Sequence, residues 1–142
     1  MRKLLLVLTL VFAMMLSIAA LVSLTNAETQ EAQRASDLRF NHVFVDQELS
    51  VSNEKLVQDV VAGVDLDNLG TFDLKDVKLT VAIPELGVQR SLGPFDVDSD
   101  SGTTRKVLLE LFDDVPSGEY DVKLTLSNEN FRKVRYRTVT LT

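Results

Sequence analysis

The chain has 142 residues, 15 Lys and Arg against 21 Asp and Glu, a single His and no Cys. Lack of Cys excludes a disulfide framework and any thiolate metal centre, and an acidic balance makes nucleic acid and anionic membrane surfaces poor partners. Loss of the first 27 residues would leave 13 basic groups (15 − 2) and all 21 acids, a formal −8.

Residues 1–27 begin Met1-Arg2-Lys3, run without a charge from Leu4 to Leu24, and end Thr25-Asn26-Ala27. This is the order of an export signal: basic start, apolar helix, small-residue cleavage site. The apolar run of ~31 Å at 1.5 Å per residue also suits a membrane anchor, so two readings stay open, cleavage after Ala27 or retention of a signal anchor. Either places residue 28 onward outside the cell, with residues 4–24 the sole membrane contact when uncleaved. Residues 28–37 are polar without alternation and read as a spacer.

From Leu38 the pattern has period two. A first strand is expected over Leu38–Val45, with Leu38, Phe40, His42 and Phe44 on one face and Val43 and Val45 on the other, a mixture that suits a sheet edge or a place under the spacer. Polar residues 46–55 predict a turn region. A long second strand follows from Leu56 to Asp67, with Val60, Ala62, Val64 and Leu66 inward. Asn68-Leu69-Gly70 breaks it, and Val77–Ile83 makes a third strand that Pro84 stops. A short edge strand over Val88–Leu92, an irregular stretch over Gly93–Gly102 and a strand over Arg105–Phe112 come next.

Pro116-Ser117-Gly118 then turns into strict alternation, with Tyr120, Val122, Leu124 and Leu126 on one side and Asp121, Lys123, Thr125 and Ser127 on the other. A Tyr two residues after a Gly, opening a half-buried strand, predicts a buried hydroxyl bonded back to the preceding turn, the tyrosine corner of immunoglobulin-like sandwiches. In the last strand, Phe131–Leu141, Val134 and Tyr136 have one parity and Val139 and Leu141 the other. A bulge near Arg137 would bring all four inward. The sum is an all-β, seven-stranded antiparallel immunoglobulin-like β-sandwich over residues 38–142, preceded by an N-terminal signal or anchor helix.

Two stretches resemble a known group. Leu66-Asp67-Asn68-Leu69-Gly70 with Leu74-Lys75-Asp76-Val77-Lys78-Leu79-Thr80-Val81, and Pro116-Ser117-Gly118-Glu119-Tyr120-Asp121-Val122, are similar to the turns and strands of CARDB domains, the cell-adhesion-related immunoglobulin-like domains of exported archaeal and bacterial proteins. The resemblance implies a surface or surface-layer setting, a structural or adhesive role, and structural duties for Gly70, Gly118 and Tyr120. Such domains are usually repeated, whereas this chain has one copy.

Chemistry has few footholds. His42 has no Gly-x-Ser-x-Gly elbow to serve, so no catalytic residues are assigned. Asp96, Asp98 and Asp100 offer oxygen ligands at alternate positions, the preference of calcium, but Gly102 falls at the seventh place of the loop and Val107 stands where an EF-hand has its closing Glu. They read as a solvated acidic loop, weak candidates for an ion, and no cofactor is expected. Arg132, Lys133, Arg135 and Arg137 are the one basic cluster. Parity with a bulge puts Lys133, Arg135 and Arg137 on the exterior, as edge protection or as a docking surface for an acidic partner. The leading expectation is therefore a non-enzymatic exported cell-surface structural or adhesion-type interaction module, with a cell-surface or surface-layer protein as partner. The alternative is an extracellular ligand-binding domain taking calcium or glycan at loop 96–102. Two Tyr, seven Phe and no Trp count against glycan.

Overall fold

A computed structural model describes residues 37–52 and 55–142, with Met14 and Thr29 isolated before them. The expectations for the signal or anchor and for most of the spacer lie outside the described residues. Among the described residues, no helix is long and apolar enough to cross a membrane.

Seven strands follow Asp37: β1 (Leu38–Ser52), β2 (Lys55–Asn68), β3 (Leu74–Ile83), β4 (Val88–Val97), β5 (Ser101–Glu110), β6 (Gly118–Ser127) and β7 (Arg132–Leu141). They form two antiparallel sheets, β1-β2-β5 and β4-β3-β6-β7. The inward residues of β2, β3 and β6 that alternation singles out, Val60 to Leu66, Val77 to Ile83 and Val122 to Leu126, are fully buried and join Leu38, Val97, Leu109 and Leu141 in one core. Burying a side chain of this size is worth about 1.5–3 kcal/mol, so the central strands hold the fold.

Four local expectations are corrected. β1 continues to Ser52 and pairs with β2 as far as Ser52↔Lys55, whereas β5 accompanies β2 only between Asp59 and Asn68. The far end of the β1–β2 hairpin is thus a two-stranded ribbon, and with Leu49, Ser50 and Val51 exposed on it β1 tolerates the polar run that resembles a turn. β1 also carries a register shift between Phe40 and His42. One extra residue turns Leu38 and Phe40, then Val43 and Val45, toward the core and leaves His42 exposed.

Residues 93–102 are mostly strand. β4 runs through Gly93 and Pro94 to Val97, and only Asp98–Asp100 turn the chain, with Asp100 at φ 51°. β4 is an edge strand, so a proline on its free side costs no ladder bond. The bulge expected near Arg137 is absent. β6 and β7 pair without interruption from Gly118↔Leu141 to Ser127↔Arg132, and Tyr136 is 58% exposed. Val139 and Leu141 take the inner face, and by period two so do Lys133, Arg135 and Arg137.

Candidate functional site

The acidic loop lies where the β2–β3 and β4–β5 connections meet. Asn68, the last residue of β2, is only 1% exposed. Its Nδ2 donates to the carbonyls of Phe72 (2.9 Å), Val97 (3.2 Å) and Asp98 (3.1 Å), while its Oδ1 accepts from the Gly70 amide at 3.1 Å. One amide side chain therefore ties both connections together. Gly70 is enclosed there, since a β-carbon would come within 2.9 Å of an Asp37 carboxylate oxygen and 3.2 Å of Asn68 Oδ1. Its carbonyl accepts from the Asp100 amide at 3.1 Å.

The three candidate acids have separate duties. Asp96 accepts from Lys75 Nζ at 3.0 Å and from the Asp76 amide at 3.2 Å, and the ammonium first, then the amide, hold its carboxyl below the usual aspartate range. Lys75 is raised in turn, chiefly by Asp96. Asp98 and Asp100 bond through their backbones, to Asn68 and Gly70. Asp73, from the neighbouring connection, accepts from the Ser99 amide at 2.9 Å and is lowered mainly by that bond. Among the described residues no three His, Asp or Glu side chains gather as an ion's ligands. The arrangement instead pins a turn.

Tyr120 donates its hydroxyl to the Pro116 carbonyl at 2.8 Å, closing the turn that precedes β6. The ring packs on the core but is half-buried rather than buried. Gly118 is less constrained than its motif suggests, because a β-carbon there meets only Tyr120 Cε2 at an ordinary 3.8 Å. His42 stands on the outer face of the three-stranded sheet, stacked on Phe44 with Nδ1 3.9 Å from Asp65 Oδ2. The hydroxyl of Thr104 donates to the same Asp65 at 2.7 Å. The three resemble a nucleophile–base–acid series in composition only, since the hydroxyl bonds the acid and not the imidazole.

Two seams join the sheets at their sides. On one, Arg90 of β4 reaches Glu110 Oε1 of β5 at 2.8 Å and the Leu108 carbonyl at 3.4 Å, and the Arg105 guanidinium sits 4.7 Å from the Phe95 ring centre. A shallow cleft of about 260 Å³ lies between those edges, lined by Arg90, Leu92, Lys106, Leu108 and Glu110. Binding sites for small molecules generally begin near this size, at about 300 Å³, and bury most of the ligand.

On the other seam, Lys133, Arg135 and Arg137 of β7 reach across to β1, with Lys133 half-buried and the two arginines still exposed. Lys133 Nζ donates to the Leu38 carbonyl, Arg137 Nε to the Val43 carbonyl at 3.3 Å, and the Arg135 guanidinium lies 5.2 Å from the Phe40 ring centre. The offset between partners is almost constant, 95 residues for the first pair and 94 for the second, so β1 and β7 run in the same direction. Burial, then the charges of Arg135 and Arg39, push the Lys133 ammonium below its usual pKa against the opposing pull of Asp37. Sequence reasoning found these cations and expected them outside, as Arg135 and Arg137 are, but by way of a bulge that is absent and without the contacts to β1, and it read Asn68 only as a turn residue. An Asn closing a strand before Leu-Gly is the available signal for the latter, because a buried amide must find several partners. No protein-family model matches the chain, and no curated protein matches it.

Proposed function

We propose that this protein is an immunoglobulin-like domain of the CARDB kind, exported and held at or near the cell surface, where it serves as a structural or adhesion-type interaction module without catalytic chemistry. The observation that carries the reading is the Tyr120–Pro116 bond at 2.8 Å within a sandwich ordered β1-β2-β5 against β4-β3-β6-β7. A tyrosine corner of this form accompanies immunoglobulin-like sandwiches, in which the fixed framework presents surfaces and edges to partners. The step from fold to role is analogy, supported by the export-type residues 1–27.

Location and processing provide the test. Intact cells treated with a membrane-impermeant amine reagent should carry label on Lys78 and Lys123, and mass measurement of the native protein should give either a chain starting at Glu28 or an unprocessed chain in the membrane fraction. Unlabelled protein in the cytosol overturns the proposal.

A further inference from the structure

We propose that the seam between β1 and β7 is a docking site for an extended acidic segment of a partner protein, whose alternate carboxylates seat on Lys133, Arg135 and Arg137 with Arg39 beside them. This rests on the interaction-module reading above and names the partner's chemistry.

The charge distribution is the first support. Residues 28–142 carry 13 Lys and Arg against 21 acids, yet five of the 13, Arg39, Arg132, Lys133, Arg135 and Arg137, fall on the start of β1 and along β7. Among the described residues, the ion pairs join His42 to Asp65, Lys75 to Asp73 and Asp96, and Arg90 to Glu110; none reaches these five. Like charges thus stand together in a protein of opposite sign, with Lys133 half-buried among them and the four arginines exposed. A carboxylate partner relieves that repulsion and gains charge-assisted hydrogen bonds.

Spacing selects the partner's form. Side chains at every second position of a strand stand about 6.8 Å apart, and an extended peptide repeats its own alternate side chains at the same interval. Carboxylates at positions i, i+2 and i+4 therefore match Lys133, Arg135 and Arg137 one for one. Backbone strand addition is disfavoured, because the Arg135 and Arg137 Nη1 groups compete for the carbonyls of Val134 and Tyr136, and the Leu38 and Val43 carbonyls are also engaged. Contact is consequently between side chains, and each guanidinium, with five N–H donors, retains some for a carboxylate.

The test uses the full chain in mild detergent and a fluorescent synthetic peptide of alternating Glu and Thr, read by anisotropy. Binding should weaken with salt, and Arg39→Gln with Arg135→Gln should weaken it about tenfold, a change that leaves the backbone contacts of Lys133 and Arg137 intact. Lys78→Gln with Lys123→Gln, on the other face of the sheet, should change nothing. A peptide of the same composition with its Glu residues in adjacent pairs should bind more weakly. No binding, equal loss in both double variants, or tighter binding of polygalacturonate than of the peptide overturns the inference. So does self-association abolished by the Arg39 and Arg135 changes, which would make the occupant a second copy. Surface-labelled protein that ignores the peptide loses this inference alone; cytosolic protein that binds it loses the export reading alone.

Discussion

The Phe44 ring on β1 covers Gly63 on β2 so closely that a β-carbon at position 63 would stand 1.9 Å from Cζ of the ring. An aromatic side chain thus covers backbone that the glycine leaves bare, a device that steadies a sheet at a residue poor in strand propensity. His42 stacks on the same ring, and Lys106 Nζ lies 5.6 Å from its centre. Gly63→Ala should force the ring aside and destabilise the domain by about 1–3 kcal/mol in denaturant melts. In a Phe44→Ala background the same change should be neutral or stabilising. Additive effects of the two substitutions would refute the coupling.

Asn68 should be the costliest polar residue to change. Asn68→Ala leaves the carbonyls of Phe72, Val97 and Asp98 and the Gly70 amide without their shared partner, at roughly 1–3 kcal/mol for each group that water cannot reach. Asn68→Asp should be no better, because it sets a carboxylate where three carbonyls require a donor. Melts of both variants, with amide exchange at Gly70 and Asp100, provide the check. Wild-type stability in either would show that the two connections hold without the clamp.

Tyr120→Phe removes only the hydroxyl and its bond to the Pro116 carbonyl. The loss should be about 0.5–1.5 kcal/mol, the net worth of one such bond, and no more, because the half-buried ring keeps its packing. Coincident melts of the two proteins would mean that the corner contributes nothing.

Strands were legible where one face is dry. Val60–Leu66, Val77–Ile83 and Val122–Leu126 alternate so regularly that their inward residues could be named from the sequence alone. Parity was less informative at the edges. Both β1 and β7 switch apolar parity, and the structure resolves the two differently: β1 gains a residue between Phe40 and His42, whereas β7 keeps its ladder and leaves Tyr136 outside. A change of parity does not say which solution applies, because that depends on what lies opposite. At a lateral seam, long Lys and Arg stems cover apolar surface while their heads reach carbonyls or water, so Lys133, Arg135 and Arg137 can occupy an inner face that a central strand would deny them. The Asn68 clamp was hidden for another reason: its partners Val97 and Asp98 are 29 and 30 residues away.

Acid should loosen the loop end of the sandwich first. Asp96 is held below the ordinary aspartate range by Lys75 and the Asp76 amide, and Asp73 by the Ser99 amide. A depressed carboxyl contributes stability that is present above its unfolded pKa, about 3.9, and is lost as pH falls through the lower folded value. Between about pH 4 and pH 2 the wild type should therefore lose more stability than Asp96→Asn, which has no such proton to take up. Both carboxylates are exposed to solvent, so the difference should be small and shrink with salt. Parallel acid profiles of the two proteins would show that the Lys75–Asp96 pair does not stabilise the fold.

Calcium gives the discriminating measurement for the acidic loop. A site formed in the folded state with a dissociation constant of ~0.1 mM would stabilise the protein by ~2.7 kcal/mol at ~10 mM calcium, a rise of very roughly 10 °C in Tm for a domain of this size. Here the Asp96 carboxylate is engaged by Lys75 at 3.0 Å, and Asp98 and Asp100 make their loop contacts through backbone atoms. Gathering three carboxylates on one ion would require Asp96 to leave its ammonium and the turn to give up its bonds to Asn68 or Gly70, and each loss subtracts from binding. The expected shift is a few degrees at most, matched by magnesium and unchanged in Asp98→Asn. A calcium-selective rise near the full value that Asp98→Asn abolishes would instead assign the loop to ligand binding, and would place the function of the domain there rather than at the β1–β7 seam.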